Sequence, residues 1–145
     1  MILGSEADTH AVGQYLATQL RIGDVIALSG PLGVGKTALA RALIEALGHV
    51  GEVPSPSFAI VQPYETLDPP LWHVDLYRID QPDEIGELGL ENALDDAAMV
   101  VEWPERAGDG AWPDALRLSL DFARDGARRL TGEVPAAWEA RWPPR

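Results

Sequence analysis

Two kinds of short apolar run alternate along the chain. Val25-Ile26-Ala27-Leu28 and Ala98-Met99-Val100-Val101 are continuously apolar, as expected of buried parallel strands covered on both faces. Leu116, Leu118 and Leu120 alternate with polar residues and Phe122 keeps the register, which predicts a half-exposed strand. Elsewhere the period lengthens. Val12, Leu16 and Leu20, with Tyr15 beside them, predict an amphipathic helix over Asp8 to Leu20, with Asp8 or Thr9 as its N-cap. Leu39, Leu43 and Leu47 predict a second over Thr37 to Leu47, and Gly48 is placed to stop it. Ser57 to Tyr64 and Leu71 to Tyr77 read as strands flanking the turn-rich 66–70 segment, and Asp83–Leu88 and Glu91–Leu94 as short helices. The Pro- and Trp-rich tail after Gly132 carries no period that assigns it.

Strand, helix and strand in alternation predict an α/β domain of three layers. The 145 residues suit a single domain spanning 1–145. Between the first buried strand and the second helix lies Gly30-Pro31-Leu32-Gly33-Val34-Gly35-Lys36-Thr37, a full match to G-x-x-x-x-G-K-[ST]. Glycines let successive backbone N–H groups turn inward as an anion nest. The opening helix adds unpaired N–H groups and its positive dipole end. Lys36 would reach the β- and γ-phosphates of a nucleoside triphosphate, and the Thr37 hydroxyl suits Mg²⁺. The expected fold is therefore P-loop NTPase-like, with a central, mainly parallel sheet and some antiparallel strands.

Composition sharpens that picture. Lys36 is the sole lysine beside ten arginines, placed where a compact ammonium and not a guanidinium fork is needed. The net charge of −12 opposes direct, tight binding of DNA or RNA, but a small anion can still be held by local donors and a metal. There is no cysteine, which excludes disulfides and thiolate metal sites. No leader pattern or apolar stretch of membrane-spanning length is visible, so the expected location is cytoplasmic, away from membranes.

A Mg²⁺ held by one hydroxyl needs a carboxylate at a neighbouring strand end. Glu102 closes the apolar run 98–101 and fits; Asp75, one strand earlier, is a second candidate for the metal shell or for orienting water. On spacing alone the two could trade roles. His73 reads as a packed imidazole, because no second histidine lies at metal spacing. Trp72, Trp112, Trp138 and Trp142 read as core or partner-contact residues, and the acidic run from Asp83 to Glu91 as a solvated face.

With the P-loop, Ser55-Pro56-Ser57-Phe58, His73-Val74-Asp75-Leu76-Tyr77-Arg78 and Glu102-Trp103-Pro104-Glu105 in this order, the chain resembles the TsaE family from about Ser5 to Arg129. This is the P-loop ATPase of bacterial threonylcarbamoyladenosine (t⁶A) tRNA modification. The resemblance implies ATP and Mg²⁺ as cofactors, and a TsaB–TsaD heterodimer as partner. It also implies a role in modifying adenosine 37 of tRNAs reading ANN codons, with tRNA reached only through the complex. Gly33, Val34, Gly35, Lys36 and Thr37 would bind phosphates, beside Ala38, and Thr37 and Glu102 would hold Mg²⁺. Asp75 would assist hydrolysis. Ser57 matches a switch-like position near the γ-phosphate, and Trp103 a tryptophan close to the nucleotide. Ser5-Glu6-Ala7-Asp8-Thr9, with Glu6 and Thr9, matches a segment near the adenine. Three positions depart from the family pattern: Pro31 for a frequent aspartate, Ser57 for threonine, and Ala38 for a second threonine.

Other classes stay open on the residues. A small-molecule P-loop kinase would add an arginine-rich lid, and Arg78 and Arg106 form no compact one. A GTPase would need a second lysine in its guanine motif. A nucleotide sensor without hydrolysis would tolerate loss of Glu102 and Asp75.

Overall fold

The computed structural model describes residues 1–56 and 60–144. Strand β1 is Ile2–Leu3, followed by α1 (Glu6–Gln19), β2 (Val25–Ser29) and α2 (Lys36–Ala46). Then come β3 (Val61–Tyr64), β4 (Leu71–Asp75), a 3₁₀ segment Pro82–Leu88, α3 (Leu90–Ala93) and β5 (Ala98–Glu102). Strands β6 (Leu116–Phe122) and β7 (Arg128–Glu133) complete the sheet, and a 3₁₀ turn Ala136–Trp138 begins the tail. Among the described residues the sheet has seven strands in the order β1-β7-β6-β2-β5-β4-β3. The central four, β6, β2, β5 and β4, run parallel, whereas β7, β1 and β3 join antiparallel at the flanks. The expected three-layer, mainly parallel α/β fold is what the chain forms.

The apolar runs on β2 and β5 have a direct cause. Side chains alternate across a strand, so Ile26, Leu28, Ala98 and Val100 enter the core beneath α1 and α2. Val25, Ala27, Met99 and Val101 enter a second core beneath the 82–94 segments. Both faces are covered, so neither parity can be polar.

Several boundaries differ from the sequence reading. The N-cap of α1 is Ser5, whose Oγ accepts from the Asp8 N–H at 3.3 Å, and not Asp8 or Thr9. The cap sits further upstream because Glu6, Ala7 and Asp8 already form the first turn, where acidic side chains suit the helix dipole. Strand β4 stops at Asp75, whose carboxylate accepts from the Tyr77 N–H at 3.0 Å and turns the chain away from the sheet. Strand β3 begins at Val61, and the expected strand start at Ser57 lies outside the described residues. The tail is core: Trp138 is fully buried and Trp142 nearly so.

Helices α1 and α2 meet at Gly13. A Cβ there would lie 2.6 Å from Ala42 Cβ and 2.8 Å from both Ala42 C and Leu43 N. Backbone cannot yield as a flexible side-chain tip would. Gly13→Ala is therefore expected to destabilise the protein by ~1–3 kcal/mol, although alanine favours a helix by ~1 kcal/mol. Urea unfolding midpoints check this; a midpoint at or above wild type would contradict the close approach.

Candidate functional site

Strand β2 ends at Ser29 between β5 and β6, and its register pairs Leu28 with Glu102, the last residue of β5. The glycine loop thus rises where ligands gather in open α/β sheets, at the carboxyl ends of the strands. Gly30 is required by a close approach, since a Cβ would lie 2.3 Å from the Leu120 carbonyl oxygen on β6. Gly35, at φ 115°, holds a left-handed conformation immediately before α2 and supplies no side-chain cap. The amides at the start of α2 are therefore not capped by a side chain of Gly35, which is the arrangement anion sites use. Val34 is buried beneath the loop, and its carbonyl accepts from Arg128 Nε at 2.8 Å, which ties the loop to β7.

A cavity of about 250 Å³ lies over the loop, lined by Gly33, Gly35, Lys36, Thr37, Ala38, Asp75, Glu102 and Trp103, with Leu32 and Tyr77. Most of the residues expected at a phosphate site are therefore brought together. Its volume lies below the ~300–1,000 Å³ of pockets that enclose whole ligands, and suits part of one. Glu6 and Thr9 do not line it; they sit in the first turn of α1, Glu6 exposed and Thr9 half-buried. Ser57 lies outside the described residues. A larger groove of about 850 Å³ opens beside Asp24, Leu90 and Trp112. It adjoins the starts of β2 and β6, the opposite end from the loop, and we do not place the site there.

Lys36 is 5% exposed. Its ammonium donates to the Gly30 carbonyl and, at 3.1 Å, to the Pro31 carbonyl, and lies 3.9 Å from the Trp103 ring centroid. Burial pulls its pKa below the ordinary lysine value, while Glu102, Glu105 and Asp75 act in the opposite direction. Trp103 takes a left-handed backbone, φ 59° and ψ 49°, which costs a non-glycine residue ~1–3 kcal/mol and is typical of functional positions. Its ring meets Tyr77 at 5.0 Å between centroids.

The carboxylates face the start of α2. Asp75 and Glu102 are register partners on adjacent parallel strands, and both are buried. The Thr37 hydroxyl donates to Glu102 Oε1 at 2.7 Å, and His73 Nε2 lies 2.7 Å from Glu102 Oε2. His73 is packed, as read from sequence, and its ring in addition meets the Glu102 carboxylate. The missed signal was period: His73 stands two residues before Asp75 and so shares its face. Arg128 and Tyr77 were missed as well, because neither belongs to a local pattern that predicts contact with the loop.

A buried parallel strand, a glycine loop, an uncapped helix start and flanking strand-end carboxylates define a P-loop NTPase-like α/β protein. The chain belongs to the TsaE family: the family profile described as Threonylcarbamoyl adenosine biosynthesis protein TsaE matches residues 3–130. It is 46% identical over 115 residues to the tRNA threonylcarbamoyladenosine biosynthesis protein TsaE of Streptomyces coelicolor, covering 77% of this chain and 78% of that one. Identity to the protein of the same description from Rickettsia felis is 34% over 129 residues, 88% of this chain and 75% of the other. Among solved structures, that of Bacillus subtilus YdiB superposes with a TM-score of 0.82 at 27% identity, covering 97% of this chain and 88% of that one.

Proposed function

We propose that this protein binds ATP with Mg²⁺ and hydrolyses it in the service of tRNA t⁶A biosynthesis. Its place of action is the cytoplasm, in contact with a TsaB–TsaD-like heterodimer that modifies adenosine 37 of tRNAs reading ANN codons. Family membership supports the pathway. The observation that carries the chemistry is the Thr37–Glu102 pair beside the chain's one lysine. Thr37 Oγ1 and Glu102 Oε1 stand 2.7 Å apart, so one small oxygen-seeking cation could be held by both. Among the described residues no three acidic or histidine side chains converge as a metal cage. The remaining ligands would then be phosphate oxygens and water, the usual arrangement for Mg²⁺.

Each side chain has a task in this reading. The loop and α2 amides cradle phosphate oxygens. Lys36 leaves the Gly30 and Pro31 carbonyls and turns to the β- and γ-phosphates, exchanging neutral acceptors for charged ones. Thr37 and Glu102 would hold Mg²⁺, whose charge would offset that of the phosphates. Asp75, level with Glu102 one strand away, orients water for attack. Trp103 shields the Lys36 side of the cavity. The net charge of −12 is compatible with tRNA being gripped by the partner, not by this subunit.

Calorimetric titration of ATP with and without Mg²⁺ tests the site. Glu102→Ala is expected to lose the Mg²⁺-dependent gain while keeping Mg²⁺-free binding. The loss should be at least the ~10–100-fold typical of disturbing even a metal ligand's outer partners. Equal losses in both conditions would refute the metal assignment. ATP turnover should change on adding the heterodimer; unchanged turnover with no complex on gel filtration would refute the partnership.

A further inference from the structure

We propose that His73 is the positioning residue for the metal-binding carboxylate of Glu102; this rests on the Mg²⁺ reading above. Alternation along two strands brings the groups together. Leu71 on β4 and Ala98 and Val100 on β5 all point into the core beneath α1 and α2, so His73, Asp75 and Glu102 emerge on that same face. His73 occupies a site where a leucine would pack as Leu71 does, and it is completely buried. Burying an imidazole there is costly unless the ring makes a hydrogen bond that matters.

That bond goes to Glu102. A carboxylate oxygen accepts, so the 2.7 Å contact has Nε2–H donating to Oε2. Nδ1 is buried and has no hydrogen-bond partner among the described residues. Among the described residues the ring's one polar contact is therefore with Glu102. The two carboxylate oxygens are divided: Oε2 is held by His73 and Oε1 faces the Thr37 hydroxyl at 2.7 Å. Without His73 the carboxylate is free to rotate, and Oε1 leaves the position beside Thr37 where a cation would need it. His73 touches neither metal nor nucleotide in this scheme and acts through Glu102 alone.

The test compares three full-length variants. Glutamine carries an amide nitrogen at the reach of Nε2, asparagine only at the reach of Nδ1, and leucine carries none. ATP affinity is measured by calorimetry across stepped Mg²⁺, and Mn²⁺ binding in the presence of ATP by electron paramagnetic resonance. For His73→Leu and His73→Asn the cation concentration giving half the gain in ATP affinity should rise ~10–100-fold. Mg²⁺-free ATP affinity should stay at the wild-type level, and His73→Gln should restore most of the cation response. Should His73→Leu fail to fold, the glutamine–asparagine contrast decides alone. A shift below threefold in the asparagine variant overturns the proposal. So does a parallel loss of Mg²⁺-free binding, or failure of glutamine to rescue, because either would mark a purely structural role. If wild type itself binds ATP without any gain from Mg²⁺, the metal reading fails first and the positioning role falls with it.

Discussion

Lys36→Ala is expected to remove ATP binding with or without Mg²⁺. Truncating one member of a buried, hydrogen-bonded charge pair costs ~2–5 kcal/mol, which is ~30- to 5,000-fold in affinity. The fold should survive. Lys36 donates to the Gly30 and Pro31 carbonyls, but burial disfavours its charge, so its removal also relieves a desolvation cost. Lys36→Arg should rescue poorly, because a planar fork does not fit a site shaped for a compact ammonium. The lowered pKa adds a sign. The unfolded chain holds this proton more tightly than the folded one, so between the folded and the ordinary lysine value stability rises with pH. ATP affinity, which needs the ammonium, should fall as pH rises through the lowered value, below the ordinary lysine range. Calorimetry with wild type and variants gives the result; ATP binding to Lys36→Ala within tenfold of wild type would sink the P-loop reading.

Trp138→Ala carries the largest expected effect on stability. The indole is completely buried in the core beneath α1 and α2, and Arg141 lies over its ring at 3.9 Å. Arg141 in turn holds the Asp24 carboxylate through two bonds, 2.6 and 3.1 Å. The Tyr15 hydroxyl donates to the Arg141 carbonyl at 2.5 Å. Removing a buried tryptophan costs ~3–5 kcal/mol through lost burial and the cavity left behind, a large part of the stability of an ordinary domain. Trp138→Phe should cost less, since Nε1 has no hydrogen-bond partner among the described residues. Denaturant unfolding measures both. A loss under 1 kcal/mol for the alanine variant would mean that the tail does not belong to the core. The folded fraction of either variant should bind ATP as wild type does, because no described residue of the tail lines the cavity over the loop.

The elements that were legible share one property: their pattern is local. β2 and β5 are apolar at both parities because each is covered on both faces, and β6 alternates because only one parity is buried. The glycine loop is readable because its tight backbone curvature constrains consecutive residues. β7 offered no such signal. Of Arg128–Glu133 only Leu130 is buried, and the segment is a strand because β6 presents an edge for it to pair with. β1 has two residues and exists only against β7.

The same division runs through the candidate site. Lys36, Thr37 and the pair Asp75 and Glu102 could be named as candidates from residue order, since a loop motif and strand-end carboxylates each declare themselves within a few positions, although spacing did not divide the roles of the two carboxylates. His73 and Arg128 could not be given their contacts, because these span 29 and 94 residues of chain. Residue order alone settled the class of fold, the glycine-rich loop between β2 and α2 and the net charge of −12, all of which follow from short-range spacing or from sums over composition. Which strands lie side by side, where the tail packs and which ring holds the Glu102 carboxylate were decided by folding, because neighbours across a sheet are chosen by register and buried shape, and neither is written in adjacent residues.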